Sequence, residues 1–204
     1  MNKTDFHLET PDGSKKVLLH TCCAPCSSAI VECLLNQGFT PVIFYSNANI
    51  YPVEEYERRR NECERYACDM GVEFVEDEYN HEAWKEWVAG MEHEPERGRR
   101  CLLCFKMRLR RAAQYAREHG ITVVTTTLGA SRWKSLDQIA VAGDWATKPT
   151  SAVAFWGQNW RKGGLQERRN QIIKEKKFYN QTFCGCEYSF NKNKKKSDNQ
   201  ENIE

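Results

Sequence analysis

Short apolar runs alternate along the chain with longer stretches in which apolar residues recur every three or four positions. Residues 16–21 (KVLLHT) read as a short buried strand. From about Pro25 to Asn36 the apolar positions Ala29, Ile30, Cys33 and Leu34 share one helical face, and Gly38 stops that helix where a positive φ is cheap. Residues 41–47 (PVIFYSN) predict a second strand. A charged amphipathic helix follows over residues 52–70, with Pro52 placed to start it and Gly71 to end it. Residues 72–75 form a third short strand. The stretch HEAWKEWVAGMEHEPERG has neither period and reads as irregular. Residues 99–120 form a long basic helix, again ended by glycine. ITVVTTTLG, residues 121–129, is β-branched almost throughout and is the clearest strand. A helix over about residues 135–143, a fifth strand over 151–156 and a last helix over 165–177 complete the pattern.

Strands that alternate with helices imply an α/β fold: a three-layer arrangement in which helices cover both faces of a parallel sheet. Ligands of such sheets sit beyond the carboxyl ends of the strands. HTCCAPC leaves the first strand at that edge, and TTTLGAS leaves the fourth there too. The domain reading is a flexible polar lead over residues 1–16, a single α/β domain over 17–190, and a tail over 191–204. That tail, NKNKKKSDNQENIE, has almost no apolar content and is expected to be disordered.

Composition narrows the setting. Hydrophobic residues make up 40% of the 204, enough for an ordinary core, and no stretch approaches the length of a membrane span. The N-terminus is neither a secretory signal nor an Arg-rich transit peptide, so the cytoplasm is the expected location. Ten cysteines in a chain from a reducing compartment argue against a disulfide scaffold and for metal or redox chemistry. The net charge of +2 says little about partners.

The cysteines fall into groups. Cys22, Cys23 and Cys26 occupy the first strand-to-helix turn; Cys101 and Cys104 form CLLC; Cys184 and Cys186 form CGC. Cys33, Cys63 and Cys68 sit singly in predicted helices and read as packing or inert thiols. Adjacent Cys22 and Cys23 cannot easily pair with each other, because one trans peptide holds their Cα atoms too close. Thiolates from two loops could hold zinc or an iron–sulfur cluster, and neighbouring thiols suit a cluster better because they can reach different corners of a larger object. Arg97, Arg99, Arg100, Lys106, Arg108, Arg110 and Arg111 crowd CLLC. Cations there would stabilise a negatively charged cluster; the alternative is a solvated face flanking two core cysteines. CGC can close into a strained, labile disulfide, stay as two free thiols, or lend a ligand to a metal.

HTCCAPCSS, FYSNANIYPVEEYERR, EPERGRRCLLCFKMRLRRAA, TTTLGASRWK and FYNQTFCGCEYSF, in this order from about residue 17 to 190, resemble the epoxyqueuosine reductases of the cobalamin-independent type. The resemblance implies a fold similar to the adenine nucleotide alpha hydrolase-like (HUP) fold. It implies the last step of tRNA queuosine synthesis, in which epoxyqueuosine at the wobble position is reduced and deoxygenated to queuosine. It also implies a 4Fe–4S cluster on Cys22, Cys23, Cys101 and Cys104, with Cys184 and Cys186 as a redox-active disulfide. One additional iron beside the cluster and an external electron donor are further implications. Cys26 stands outside this ligand set. Two departures bear on substrate contacts: SRWK lacks the proline of a Ser-Pro-x-Lys stretch, and Asn180 replaces an arginine between Tyr179 and Gln181.

Arg99, Arg100, Arg108, Lys134 and Tyr179 are the candidate substrate contacts, the arginines facing phosphates of the anticodon loop. Trp84, Trp87, Trp133, Trp156 and Trp160 are candidates to stack on an unstacked base, against the plainer reading of each as a core or cap residue. Two other functions fit parts of the pattern. An ATP-dependent tRNA sulfur transferase would need a Gly-rich pyrophosphate loop after the first strand, where TCCAPCSS has no glycine. A zinc-stabilised RNA-binding module would need only the cysteines.

Overall fold

Side chains of the first strand alternate between two apolar environments, and that alternation sets the layers. A computed structural model describes residues 7–150 and 152–189. In chain order the elements are β1 (Lys16–His20), α1 (Ala24–Asn36), β2 (Thr40–Tyr45), α2 (Val53–Asp69), β3 (Glu73–Glu76), α3 (His81–Trp87), α4 (Arg99–Glu118), β4 (Val123–Thr126), α5 (Leu136–Thr147), β5 (Ala154–Phe155) and α6 (Leu165–Lys176). The five strands are parallel, in the order β3-β2-β1-β4-β5.

Val17 and Leu19 of β1 join Ile43 and Tyr45 of β2 in a core with α1, α2 and α6. Leu18, Val42 and Phe44 point the other way, onto Ala112 and Ala116 of α4. Farther along α4, Phe105 and Leu109 pack with Ile139, Ala142 and Ala146 of α5. Both sheet faces are therefore covered, as a parallel sheet requires. Helix α5 lies so close to β5 that a Cβ on Gly143 would fall 2.1 Å from the Phe155 ring. No helix among the described residues is long and apolar enough to cross a membrane.

Helix α5 runs on to Thr147, past the expected residue 143, and four further segments differ from the sequence reading. The fourth strand ends at Thr126, because Thr126 Oγ1 accepts the Leu128 N–H at 3.2 Å and turns residues 127–130 into a 3-10 helix. A side-chain hydroxyl here displaces a ladder bond. The fifth strand keeps two residues, bounded by turns at Val153 N–H to Thr150 O and Gln158 N–H to Trp156 O. The stretch read as irregular contains α3, started by Asn80, whose side chain accepts the Ala83 N–H at 2.9 Å. Part of the polar lead is anchored: Leu8 is 2% exposed in the core and its N–H donates to Gln37 Oε1 at 2.9 Å. The tail over residues 191–204 lies outside the described residues.

Candidate metal centre

Strands β1 and β4 are neighbours, so the loops that leave their carboxyl ends meet. His20 closes β1 in full burial. Its Nδ1 accepts from the Thr126 hydroxyl at 2.7 Å and its Nε2–H donates to Ser46 O at 3.2 Å. Burial pushes its pKa down to about 3, so it serves as a neutral pin between three strands. Asn47 Nδ2 holds Thr21 O at 2.8 Å, and the Cys22 N–H reaches Thr127 Oγ1 at 3.3 Å. Helix α1 then starts at Ala24 with Pro25 in its first turn. Side chains in a helix lean toward its N-terminus, which swings Cys26 back over the loop. The sulfurs of Cys22, Cys23 and Cys26 consequently lie within 4.8 Å of one another, with Cys22 and Cys23 Sγ 3.8 Å apart.

This trio shares charge unevenly. Hydrogen bonds from the Cys23 and Cys26 thiols hold Cys22 well below the usual thiol range, helped by Lys134 and Arg108 and opposed by burial. Cys23 is pushed up and Cys26 rises to about 12, because Cys22 takes the negative charge.

Cys101 and Cys104 stand one turn apart at the start of α4. Burial pushes Cys101 up to about 11 and also raises Cys104. Both line a cavity of about 50 Å³ together with Cys184 and Cys186. The CGC turn is fixed from several sides. Ile50 bridges Cys186, the Tyr51 N–H donates to Gly185 O at 2.9 Å, and Arg59 donates to the carbonyls of Cys184 and Phe183. Gly185 has φ +98, and a Cβ there would sit 2.9 Å from Arg59 Nη1. No disulfide joins any of the ten cysteines in this structure.

A larger cleft of about 630 Å³ opens over the trio. Cys22, Cys26 and Cys184 line it, with the amides of Asn47, Asn49, Gln166, Asn170 and Gln181. Glu96, Arg108, Trp133, Lys134 and Cys184 line both spaces, so the two thiol groups share a wall. The four implied cluster ligands are not gathered within reach of one ion; among the described residues only Cys22, Cys23 and Cys26 are. A single ion would thus reach the trio alone, and only a larger object could touch both groups.

Arg108 tests whether the residues fit such an anionic object. It is 3% exposed, and its guanidinium donates to Ser46 O at 3.2 Å and to Asn47 Oδ1. It has no carboxylate partner among the described residues. Its charge instead lowers the pKa of both Cys22 and Cys104. Trp84 Nε1–H is also buried, has no nitrogen or oxygen acceptor among the described residues, and lies near enough to Cys104 to favour the thiolate. A buried cation and a spare donor between thiols suit a thiolate-bound metal group.

The other expected contacts divide. Lys134 reaches the cleft, where burial opposes its charge but Cys184, Cys22 and Cys26 outweigh that and raise its pKa. Arg99 is exposed. Arg100 is not available to a phosphate: it is 1% exposed, and its Nη1 donates to the carbonyls of Met91, Glu92 and Glu94 at 3.0, 2.9 and 2.7 Å. Tyr179 turns toward α2, bonding Glu55 and Glu62, and leaves the cleft to Asn180 and Gln181. Trp84, Trp156 and Trp160 are core residues; Trp87 and Trp133 are exposed. Gln181, Asn47 and Asn49 belong to the site although no motif singled them out as contacts. For the two asparagines, their place just past a strand's carboxyl end was the available signal.

Fold and site together define an α/β protein with a thiol-lined, cation-flanked ligand cleft at the carboxyl edge of its sheet. The family described as Epoxyqueuosine reductase QueH matches residues 17–192, and the chain belongs to that family. A relative named Epoxyqueuosine reductase QueH from Haemophilus influenzae is 46% identical over 182 residues, 89% of this chain and 74% of the relative. Relatives of the same name from Acinetobacter baylyi and Thermotoga maritima are 44% and 33% identical. Those alignments cover 93% and 85% of this chain, and 87% and 89% of the relatives.

Proposed function

We propose that the chain is an oxidoreductase that reduces epoxyqueuosine to queuosine at the wobble position of tRNA, in the cytoplasm where that substrate is made. The observation that carries this reading is buried Arg108, which lines both the cavity of Cys101 and Cys104 and the cleft of Cys22 and Cys26, a cleft large enough for a nucleoside. A 4Fe–4S cluster on Cys22, Cys23, Cys101 and Cys104 would, when bound, supply electrons and Lewis acidity at the epoxide oxygen. Cys26, whose sulfur lies within 4.8 Å of those of Cys22 and Cys23, is the thiol of the trio left over for a further iron.

Turning an epoxide into an alkene consumes two electrons and two protons and releases water. A Cys184–Cys186 dithiol yields two electrons and two protons on closing to a disulfide, which balances the reaction. An external donor then reopens the disulfide. That Cys184 borders the cleft while Cys186 lines the smaller cavity with it supports this exchange. Lys134 brings a positive charge beside Cys22, Cys26 and Cys184, suited to the oxygen as it gains negative charge. Asn49 Oδ1 and Gln181 Oε1, buried and without a hydrogen-bond partner among the described residues, offer acceptors to a polar base and diol.

Anaerobic purification tests the reading. A brown protein with four acid-labile sulfides and four irons, or five where the further iron is retained, converting epoxyqueuosine tRNA, is the expected result. A colourless zinc protein that binds RNA without converting it would overturn it in favour of the binding-module alternative.

A further inference from the structure

Trp133 stands at the mouth of the cleft with 78% of its surface exposed. The backbone that carries it is held firmly. Arg97 Nε donates to Trp133 O at 2.8 Å, and Arg97 Nη2 to Arg132 O at 3.1 Å. From another element, Arg161 donates to Gly129 O at 3.1 Å, to Lys134 O at 2.7 Å and to Ser131 O. Arg97 adopts φ +66, which a non-glycine residue rarely takes, and its carbonyl accepts Gln138 Nε2–H at 2.8 Å. Two guanidiniums are thus spent on the backbone of residues 129–134, and the Trp133 indole is the part that projects.

The chain neighbours of Trp133 sharpen what the indole faces. Arg132 and Lys134 line the same cleft, and Arg169 lines it from α6. An aromatic face between cations matches a single nucleic-acid strand, whose bases stack and whose phosphates are neutralised. A second copy of the chain would bring like charges together at this spot. We propose that Trp133 is a stacking platform for an unpaired nucleobase of the RNA that delivers its modified nucleotide to the cleft. This rests on the reading of the chain as a tRNA-modifying enzyme. A nucleotide that enters a cleft floored by Cys22 and Cys184 leaves its stack, and the indole replaces the neighbour lost by the adjoining base.

The test uses the metal-loaded full chain and an anticodon stem-loop with unmodified guanosine at the wobble position, beside a fully paired duplex of equal length. Trp133→Ala is expected to weaken stem-loop binding by roughly 5- to 150-fold, the range for loss of one stacked base, and to leave duplex binding unchanged. Trp133→Phe should recover most of the loss. A 2-aminopurine next to the wobble position should be quenched by the parent protein and not by Trp133→Ala. Equal stem-loop affinity in parent and Ala variant, or an equal loss for stem-loop and duplex, overturns the platform. Failure of the parent itself to bind the stem-loop overturns the tRNA reading and the platform with it.

Discussion

Gln181 Nε2 donates to Cys23 Sγ at 2.9 Å, tying the segment that carries Cys184 and Cys186 to the loop that follows β1. A donor aimed at a ligating sulfur stabilises negative charge there and raises the potential of a bound cluster. Gln181→Leu should therefore retain iron but shift the reduction potential to a more negative value. A spectroscopic redox titration of parent and variant reads this; an unchanged potential would mean the bond carries no electrostatic weight.

The two thiol roles separate cleanly in variants. Cys184→Ser should keep the visible absorption and lose multiple turnover. Cys22→Ala and Cys104→Ala should lose colour and iron together. Iron analysis beside a turnover count checks both, and loss of colour in Cys184→Ser would make Cys184 a ligand.

Adjacent arginines should behave in opposite ways. Arg100→Ala leaves the carbonyls of Met91, Glu92 and Glu94 without their donor, which costs on the order of 1–3 kcal/mol. Its denaturation midpoint should fall. Arg99→Ala removes an exposed charge, so its midpoint should hold while the salt slope of RNA binding drops by about 1.

Three cysteines outside the site should react according to burial alone. Burial of the Cys63 thiol pushes its pKa well above the usual range, and Cys33 is also enclosed, whereas Cys68 is exposed. Iodoacetamide at pH 8 should modify Cys68 in the native metal-loaded protein and spare Cys33 and Cys63 until it is denatured. Peptide mass spectrometry distinguishes the three.

Periodicity was enough for the elements that bury one clear face. The apolar run of β1 and the apolar stripe of α1 are local properties, and the structure has both where the pattern places them. It was not enough where one side chain decides. The Thr126 hydroxyl cuts short a run of β-branched residues, and the Asn80 cap makes a helix of a stretch without a clear period. The site divides in the same way. Neighbouring thiols at a strand end are visible as letters. The return of Cys26 onto Cys22 depends on where α1 begins, and Gln181 arrives from 158 positions away. Arg100 looks like its basic neighbours in sequence; only the path of residues 91–94 turns it inward.

The anchoring of Leu8 separates two boundaries that are easily equated. The match to the family description begins at residue 17, yet the apolar core already includes Leu8, tied by its amide to the far end of α1. Kinship is drawn by what relatives share, cohesion by what a given chain packs against itself. A fragment cut at the edge of recognisable ancestry would discard part of its own interior.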